Sequence, residues 1–334
     1  MLIIQASNIH TGGGATLLNT LLHALHPSDI PATVFHDARF VWKKKSANLK
    51  FIPVKPTLID RLRTEWQLLQ LATAADTVLF FGNLPPLFPV KGKCILFFQN
   101  ILLLQPVRLD FSTQTIIKQV LEKLWLSLTL KNVQRVIVQS STVQDMMISA
   151  FKDVKPEVLP FAEMEKVTTV EKKVYDFVYV SSGDPHKNHL KLLEAWERLA
   201  SAELFPTLML TISDAYPELL ATILTLQKNG LNIHNEKYLN HAGVLKLYSQ
   251  SKCLIFPSVA ESFGLPLLEA KDASLPILAS ELDYVRDVVI PVETFDPSSS
   301  RSIERAVLRF LKSDTADPQT IFSADDFIQS IRGQ

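Results

Sequence analysis

The chain has 334 residues, 47% of them hydrophobic and 20% charged, and 34 Lys and Arg balance 34 Asp and Glu. At roughly 150 residues per domain, this length predicts about two domains with a core each, and the composition excludes disordered and collagen-like chains. No overall basic excess points to nucleic acid as a partner. Cys94 and Cys253 cannot build a disulfide framework or a Cys-rich zinc site, which fits a reducing compartment. Met1-Leu-Ile-Ile-Gln lacks the basic region and long apolar run of a secretion signal. The apolar stretch 94–107 is broken by Gln99, Asn100 and Gln105 and is shorter than the ~20 residues a span needs. The reading is a cytoplasmic protein, with contact at the inner face of the cell membrane left open.

Short apolar runs alternate with longer amphipathic ones. In the first half, strands are predicted at 2–4, 33–35, 77–81, 94–98 and 135–139, and helices at 15–25, 58–74 and 113–130. The polar stretch 152–173, with Pro156 and Pro160, reads as a linker. The pattern then restarts. Strands are predicted at 176–180, 207–212, 231–234, 253–256 and 276–279, and helices at 190–200, 217–228, 242–250 and 266–273. Such alternation predicts two α/β domains, each a doubly wound parallel sheet, with strand ends facing one cleft.

Glycine is scarce, 10 of 334, and several follow an apolar run, where α/β proteins place ligand loops. In 257–270, Pro-Ser-Val-Ala-Glu-Ser-Phe-Gly-Leu-Pro-Leu-Leu-Glu-Ala, Pro266 suits a first helical position and the N–H groups of Gly264 and Leu265 would make an anion site. Glu261 in the loop and Glu269 in the first helical turn could accept hydrogen bonds from sugar or ribose hydroxyls. On spacing alone, Glu269 could equally complement the helix dipole and Glu261 could be solvated.

In 181–188, Ser-Ser-Gly-Asp-Pro-His-Lys-Asn, Lys187 could neutralise a departing diphosphate or be a solvated lysine beside a turn. The loop 7–16 carries Gly12, Gly13 and Gly14 between a strand and a helix. It is neither Gly-x-Gly-x-x-Gly nor a P-loop. Gln99 and Asn100 end one strand and Asn83 follows another; each is a possible sugar contact or a plain polar strand end. No His-x-x-x-His or His-x-Glu pair suggests a metal. Ser258 lies outside Gly-x-Ser-x-Gly, against a hydrolase nucleophile. Lys43-Lys44-Lys45 reads as a solvated run. Trp125, Leu126 and Leu128 read as core rather than membrane anchor, although an apolar helix and a basic run would suit a lipid-linked acceptor.

The segment from Pro257 to Ala270 resembles the signature of family 4 glycosyltransferases, Pro-Ser-x-x-Glu-x-Phe-Gly-Leu-Pro-x-x-Glu-Ala. Leu275 to Ser280 and Phe295-Asp296-Pro297 are similar to that family as well. The resemblance covers the second half well and the first loosely. It implies the GT-B architecture, two Rossmann-like domains around a nucleotide-sugar cleft, and a retaining, metal-independent transfer with no cofactor beyond the nucleotide-diphosphate sugar as substrate.

The implied boundaries are 1–158 for an acceptor-side domain, 159–315 for the donor domain, and 316–334 for a C-terminal helix packing back on the first domain. The resemblance implies that Glu261 and Lys187 are catalytic. It places Glu269, Ser262, Phe263, Gly264, Leu265, His186, Gly183, Gly13 and Gly14 on the donor, and His10, Gln99, Asn100 and Asn83 on the acceptor side. His186 stands where the family often has Arg, and Gln99 where many members have His. The implied partners are a nucleotide-sugar donor, a glycan or lipid-linked acceptor and a peripheral membrane contact, in bacterial surface polysaccharide assembly. Two alternatives remain: a catalytically weak GT-B partner subunit that binds nucleotide, and a nicotinamide-dependent oxidoreductase, against which the broken glycine spacing argues.

Overall fold

In a computed structural model, which describes residues 1–42, 44, 46–107, 113–162 and 172–312, the chain forms two α/β units. The first runs β1 (Leu2–Ala6), α1 (Gly12–Leu25), β2 (Ala32–Asp37), β3 (Leu49–Val54), α2 (Leu58–Leu71), β4 (Thr77–Phe80), β5 (Lys93–Phe97), α3 (Thr113–Thr129), β6 (Arg135–Val138), α4 (Ser141–Ala150) and β7 (Glu157–Val158). The second runs β8 (Tyr175–Tyr179), α5 (His189–Ser201), β9 (Leu208–Leu210), α6 (Pro217–Lys228), β10 (Ile233–Asn235), α7 (His241–Ser249), β11 (Ser251–Phe256), α8 (Leu265–Asp272), β12 (Ile277–Ser280), α9 (Asp283–Arg286), β13 (Glu293–Phe295) and α10 (Ser300–Lys312).

Both sheets are parallel throughout. Their strand orders are β3-β2-β1-β4-β5-β6-β7 and β10-β9-β8-β11-β12-β13. The order therefore reverses between β1 and β4 in one sheet and between β8 and β11 in the other. In open α/β sheets, ligands bind in the crevice beyond the carboxyl ends of the strands at such a reversal. The loops after β1, β4, β8 and β11 are thus singled out by topology.

The predicted elements match in kind, and several went unpredicted. β3 reads Leu-Lys-Phe-Ile-Pro-Val. Its Lys50 and Pro53 interrupt the apolar run, and as the last strand of its sheet it can hold a proline. α4 continues straight from the Ser140 stop, because the Ser140 hydroxyl accepts from Val143 N and so starts a helix there. β7 lies inside the stretch read as a linker. α9, β13 and α10 follow the last predicted strand, and α10 packs Ile303, Ala306 and Val307 inward. The helix expected at 316–334 lies outside the described residues.

The cores follow the layers. In the first unit one apolar cluster packs α2, α3 and α4 on the sheet through Leu68, Leu126 and Met147. The other face packs α1 through Leu17, Leu18 and Leu22. The second unit has one cluster around Phe177, Tyr179, Trp196, Tyr248 and Phe256. Of the helix α3 residues read as core, Leu126 is buried and Trp125 half-buried, whereas Leu128 is exposed. Cys94 and Cys253 are buried in different units, and burial pushes the Cys94 thiol up to about 12.

Gly92 begins the turn into β5 at φ +90°, and a Cβ there would fall 2.4 Å from the Asp76 carbonyl oxygen and 2.6 Å from that of Thr73. Neither backbone atom can swing away. Gly92→Ala therefore combines left-handed strain with a backbone clash and is expected to cost about 2 kcal/mol or more. Urea unfolding monitored by circular dichroism would register this as a lower midpoint with unchanged slope.

Candidate functional site

The loops after β8 and β11 are joined by main-chain and side-chain hydrogen bonds. The His186 carbonyl oxygen accepts from Val259 N at 2.9 Å and from the Ser258 hydroxyl at 3.1 Å. Tyr179 and Tyr284, both buried, brace this seam from below. The Tyr179 hydroxyl donates to Lys187 O at 2.9 Å, and that of Tyr284 to Ser258 O at 2.7 Å. Burial and the Glu261 charge raise both phenols well above their ordinary range, so they stay protonated donors.

This stitching brings Lys187 and Glu261, 74 positions apart, into an ion pair of 2.6 Å. Their side chains retain 17% and 12% exposure, so the pair sits at the wall of the cleft rather than on open surface. Lys187 ends a short turn, Pro185–Lys187, and Asn188 then adopts the left-handed conformation before α5. The Asn188 amide holds that strained corner by donating to Pro257 O at 3.1 Å and Pro297 O at 2.7 Å. Lys187 thus precedes the helix rather than opening it.

Glu269 lies on the helix that follows β11, in the second turn of α8, since that helix begins at Leu265. Sequence reading placed it in the first turn and Pro266 at the first position; both are shifted by the earlier start. Dipole complementation therefore accounts poorly for Glu269, because that effect fades beyond the first turn. Its carboxylate instead accepts from the Tyr248 hydroxyl at 3.1 Å and lies 3.7 Å from His241 Nδ1. Burial raises its proton affinity, opposed by His241 and Tyr248.

Gly264 caps α8 at φ +77° and brings no side chain to the first N–H groups. The caps of α1 and α5, Thr11 and Asn188, also make no side-chain cap bond. The helices that follow strands at the two reversals thus all leave their N-terminal donors free of side-chain caps, a favourable setting for an anion. Gly183 lies flat against Tyr216, whose ring a Cβ there would approach to 2.5 Å.

The loop after β11 also enters the first unit. Ser262 Oγ accepts from Ile101 N at 2.8 Å, and Ser262 O accepts from the Ser140 hydroxyl at 3.2 Å. Ala260 joins the α2–α4 core cluster, and Leu265 packs against the α1 cluster. A Cβ on Gly13 would lie 3.3 Å from Leu265 Cδ1. Ser262, Leu265 and Gly13 are thus drawn together between the units. The three glycines lie in the first turn of α1, which begins at Gly12, rather than in a loop ahead of it.

Across the cleft, Asn83 sits at φ +70° and its side-chain oxygen accepts from Gln99 N at 2.5 Å. Gln99 donates to Phe81 O at 2.8 Å, and a Cβ on Gly14 would lie 3.6 Å from its oxygen. Asn100 accepts from Leu102 N at 3.2 Å. A polar cavity of about 180 Å³ opens here, lined by Asn8, Gly82, Asn83, Asn100, Lys118 and Glu122 among others. Lys118 and Glu122 went unnoticed in the sequence, because α3 is distant in the chain and only folding brings it to this strand end, whereas Asn8 lies in the loop 7–16 that the glycines had singled out. His10 lies apart, at the end of β2, 3.2 Å from Arg39 Nη2 and beside buried Asp37. Among the described residues, no group of three or more His, Cys, Asp or Glu side chains could hold a metal ion.

Solved structures carry the same architecture. Sucrose-phosphate synthase of Thermosynechococcus elongatus superposes with a TM-score of 0.71 over 93% of this chain and 89% of its own, at 15% identity. Anabaena Alr3699/HepE in complex with UDP and glucose gives 0.69 over 99% and 95%, at 16% identity. The fold is GT-B. Residues 160–324, a range that spans the second unit's elements, match the family model described as glycosyl transferases group 1. The chain is 21% identical over 250 residues to the O-antigen chain mannosyltransferase RfbU of Salmonella typhimurium, covering 72% of this chain and 69% of that protein. It is 28% identical over 124 residues to the serotype-specific mannosyltransferase WbdA of Escherichia coli, covering 34% of this chain and 14% of that protein.

His189, a residue sequence reading passed over, sits buried at the head of α5. Its Nε2 lies 2.9 Å from both Ser181 Oγ and Ser182 O. Burial lowers its pKa from 6.5 to about 4, despite the Ser182 carbonyl favouring the charged form. A depressed histidine stabilises the fold fully above the unfolded pKa. That stability is lost as pH falls from 6.5 towards 4, amounting to roughly 3 kcal/mol. In His189→Gln, urea melts between about pH 7 and about pH 4.5 are expected to lose most of this pH dependence.

Proposed function

We propose that this protein is a retaining glycosyltransferase that moves a sugar from a nucleoside-diphosphate sugar to a glycan or lipid-linked acceptor in bacterial surface polysaccharide assembly. The observation that carries the reading is the Lys187–Glu261 ion pair at the strand-order reversal of the second sheet, with Glu269 on the helix that follows the same strand. The group 1 match over that unit and the O-antigen mannosyltransferase relatives support it.

In this reading the diphosphate lies against the uncapped N-termini of α8 and α5, with the Lys187 ammonium stabilising its developing charge. The backbone at Gly183, His186 and Phe263 to Leu265 lines that side, and Gly13 and Gly14 face it from the first unit. Glu269, oriented by Tyr248, accepts from the ribose hydroxyls, and Glu261 holds a sugar hydroxyl and the Lys187 ammonium in place. The bond between the anomeric carbon and the diphosphate oxygen breaks while the acceptor oxygen bonds to the same face. The acceptor's proton passes to the departing phosphate oxygen, so configuration is retained. Lys187 and the helix N-termini occupy the place a metal would take, and no metal is assigned a step. The polar cavity at Asn83 and Asn100, with Gln99 behind it, receives the acceptor, and His10, held apart beside Arg39 and Asp37, is given no part in that cavity.

The reading is tested by incubating the protein with GDP-mannose, UDP-glucose and other sugar nucleotides and measuring nucleoside diphosphate release. The mannosyltransferase relatives make mannose the first sugar to try. Turnover with one donor is expected, unchanged by EDTA. Lys187→Ala should lower kcat/KM by about a hundredfold or more through kcat. Glu269→Ala should weaken donor affinity by about tenfold with a smaller effect on kcat. Nucleotide binding without turnover of any donor would instead favour a catalytically weak partner subunit. Abolition by EDTA would overturn the metal-independent step.

A further inference from the structure

Two helices of the first unit carry an outward apolar stripe in addition to the apolar residues they bury, Leu68 on α2 and Leu126 on α3. On α2, Ile59, Leu62 and Trp66 are exposed, while Thr64 and Glu65 on the opposite side are buried. On α3, Ile117, Leu121, Leu124 and Leu128 are exposed, while Gln119 and Thr129 are buried. Each apolar set repeats at three- and four-residue spacing, so it forms one outward stripe along its helix. The interior polar groups have found partners there. Glu65 accepts from Leu87 N at 3.1 Å, Gln119 donates to Leu102 O at 2.7 Å, and the Thr129 hydroxyl donates to Trp125 O. The outward turn of the apolar faces is thus fixed by the packing beneath them.

The helices are neighbours, joined where the Arg61 guanidinium lies 4.5 Å over the Trp125 ring. The segment between them is anchored to both: Leu87 to Glu65, and Pro85 O to Trp125 Nε1 at 2.9 Å. It carries Phe88, which is also exposed. Scattered exposed leucines need no explanation, but a regular apolar stripe on each of two neighbouring helices, with an exposed Trp and Phe, marks an interaction surface.

Charge identifies the partner. Arg63 and Lys118 keep 72% and 75% of their side-chain surface, whereas the carboxylates paired with them, Asp60 and Glu122, keep 25% and 22%. Lys131, just past α3, is exposed as well. The solvent-facing charge on this face is therefore cationic. A second copy of the chain meeting this face about a twofold axis would bring like charges together. An anionic lipid surface satisfies both features: Trp, Phe and Leu enter the headgroup boundary while Lys and Arg meet lipid phosphates. No helix among the described residues is long and apolar enough to cross a membrane, so the contact is one of lying on the bilayer.

We propose that the outward faces of α2 and α3, with Phe88, dock this protein on an anionic bilayer. Because Lys118 and Glu122 of α3 also line the polar cavity at Asn83 and Asn100, docking would set that cavity beside the lipid headgroups. The docking claim is independent of the transfer reaction, and its readout needs no activity.

The test is flotation of the full-length protein with phosphatidylglycerol–phosphatidylcholine vesicles, beside vesicles of phosphatidylcholine alone. Binding to the anionic vesicles is expected, weakening as salt rises. The double variant Leu121→Gln, Leu124→Gln should reduce the bound fraction by about tenfold or more, since each leucine would no longer enter the boundary. Arg63→Glu should reduce binding to the anionic vesicles selectively. Both variants change exposed positions and should keep the wild-type melting temperature. Failure of the wild type to float with anionic vesicles would overturn the proposal. So would a dimer in analytical ultracentrifugation that the leucine variant dissociates, because the stripe would then pair two copies.

Discussion

The carbonyl oxygen of His186 accepts from Val259 N and the Ser258 hydroxyl, and the rest of the candidate site depends on that seam. Without it, the loops after β8 and β11 would be two separate strand endings. With it, the Lys187 ammonium and the Glu261 carboxylate meet at 2.6 Å at the point where the strand order reverses. A partly desolvated ion pair gains little net stability, because the loss of hydration offsets much of the attraction. Its value lies in position: it holds a cation and an acceptor side by side before any ligand arrives, which lowers the ordering cost of binding.

The same loop performs a second task. From Ser258 to Leu265 it is tied to its own unit at one end and to the first unit at the other. Ser262 accepts from Ile101 N and from the Ser140 hydroxyl, Ala260 enters the first unit's core, and Leu265 faces Gly13. A further tie, Thr142 N to the Asp287 carboxylate at 2.9 Å, joins the head of α4 to the second unit. The segment that resembles a glycosyltransferase signature is therefore also the connection across the cleft, and any motion between the units must reorganise hydrogen bonds at Ser262.

Much of the architecture was legible because parallel strands buried on both faces read as unbroken apolar runs, as at Leu208–Leu210 and at 253–256 within β11. β3 escaped notice because Pro53 and Lys50 break such a run, and β7 because two residues beside Pro156 carry no pattern. Lys187, Glu261 and Glu269 could be singled out locally, from their place after apolar runs and from a resemblance. Their partners could not. Tyr248 is 21 positions from Glu269, and Tyr284 is 26 from Ser258. Gln99 read as a candidate sugar contact, and the hydrogen bond from its side-chain amide to Phe81 O, 18 positions away just past β4, was likewise invisible locally. The outward stripes of α2 and α3 were hidden for another reason: both helices are apolar on two sides, and the pattern does not say which apolar residues, Leu68 and Leu126 or Trp66 and Leu124, turn inward.

The most direct measurement is calorimetric titration of UDP, GDP, dTDP and CMP into the wild-type protein and into Lys187→Ala. The account predicts that one nucleoside diphosphate binds with a defined stoichiometry and that the variant, folded by circular dichroism, binds it at least about tenfold more weakly. Equal affinity in the two proteins, or no binding by the folded wild type, would contradict the placement of the donor diphosphate at the Lys187–Glu261 pair.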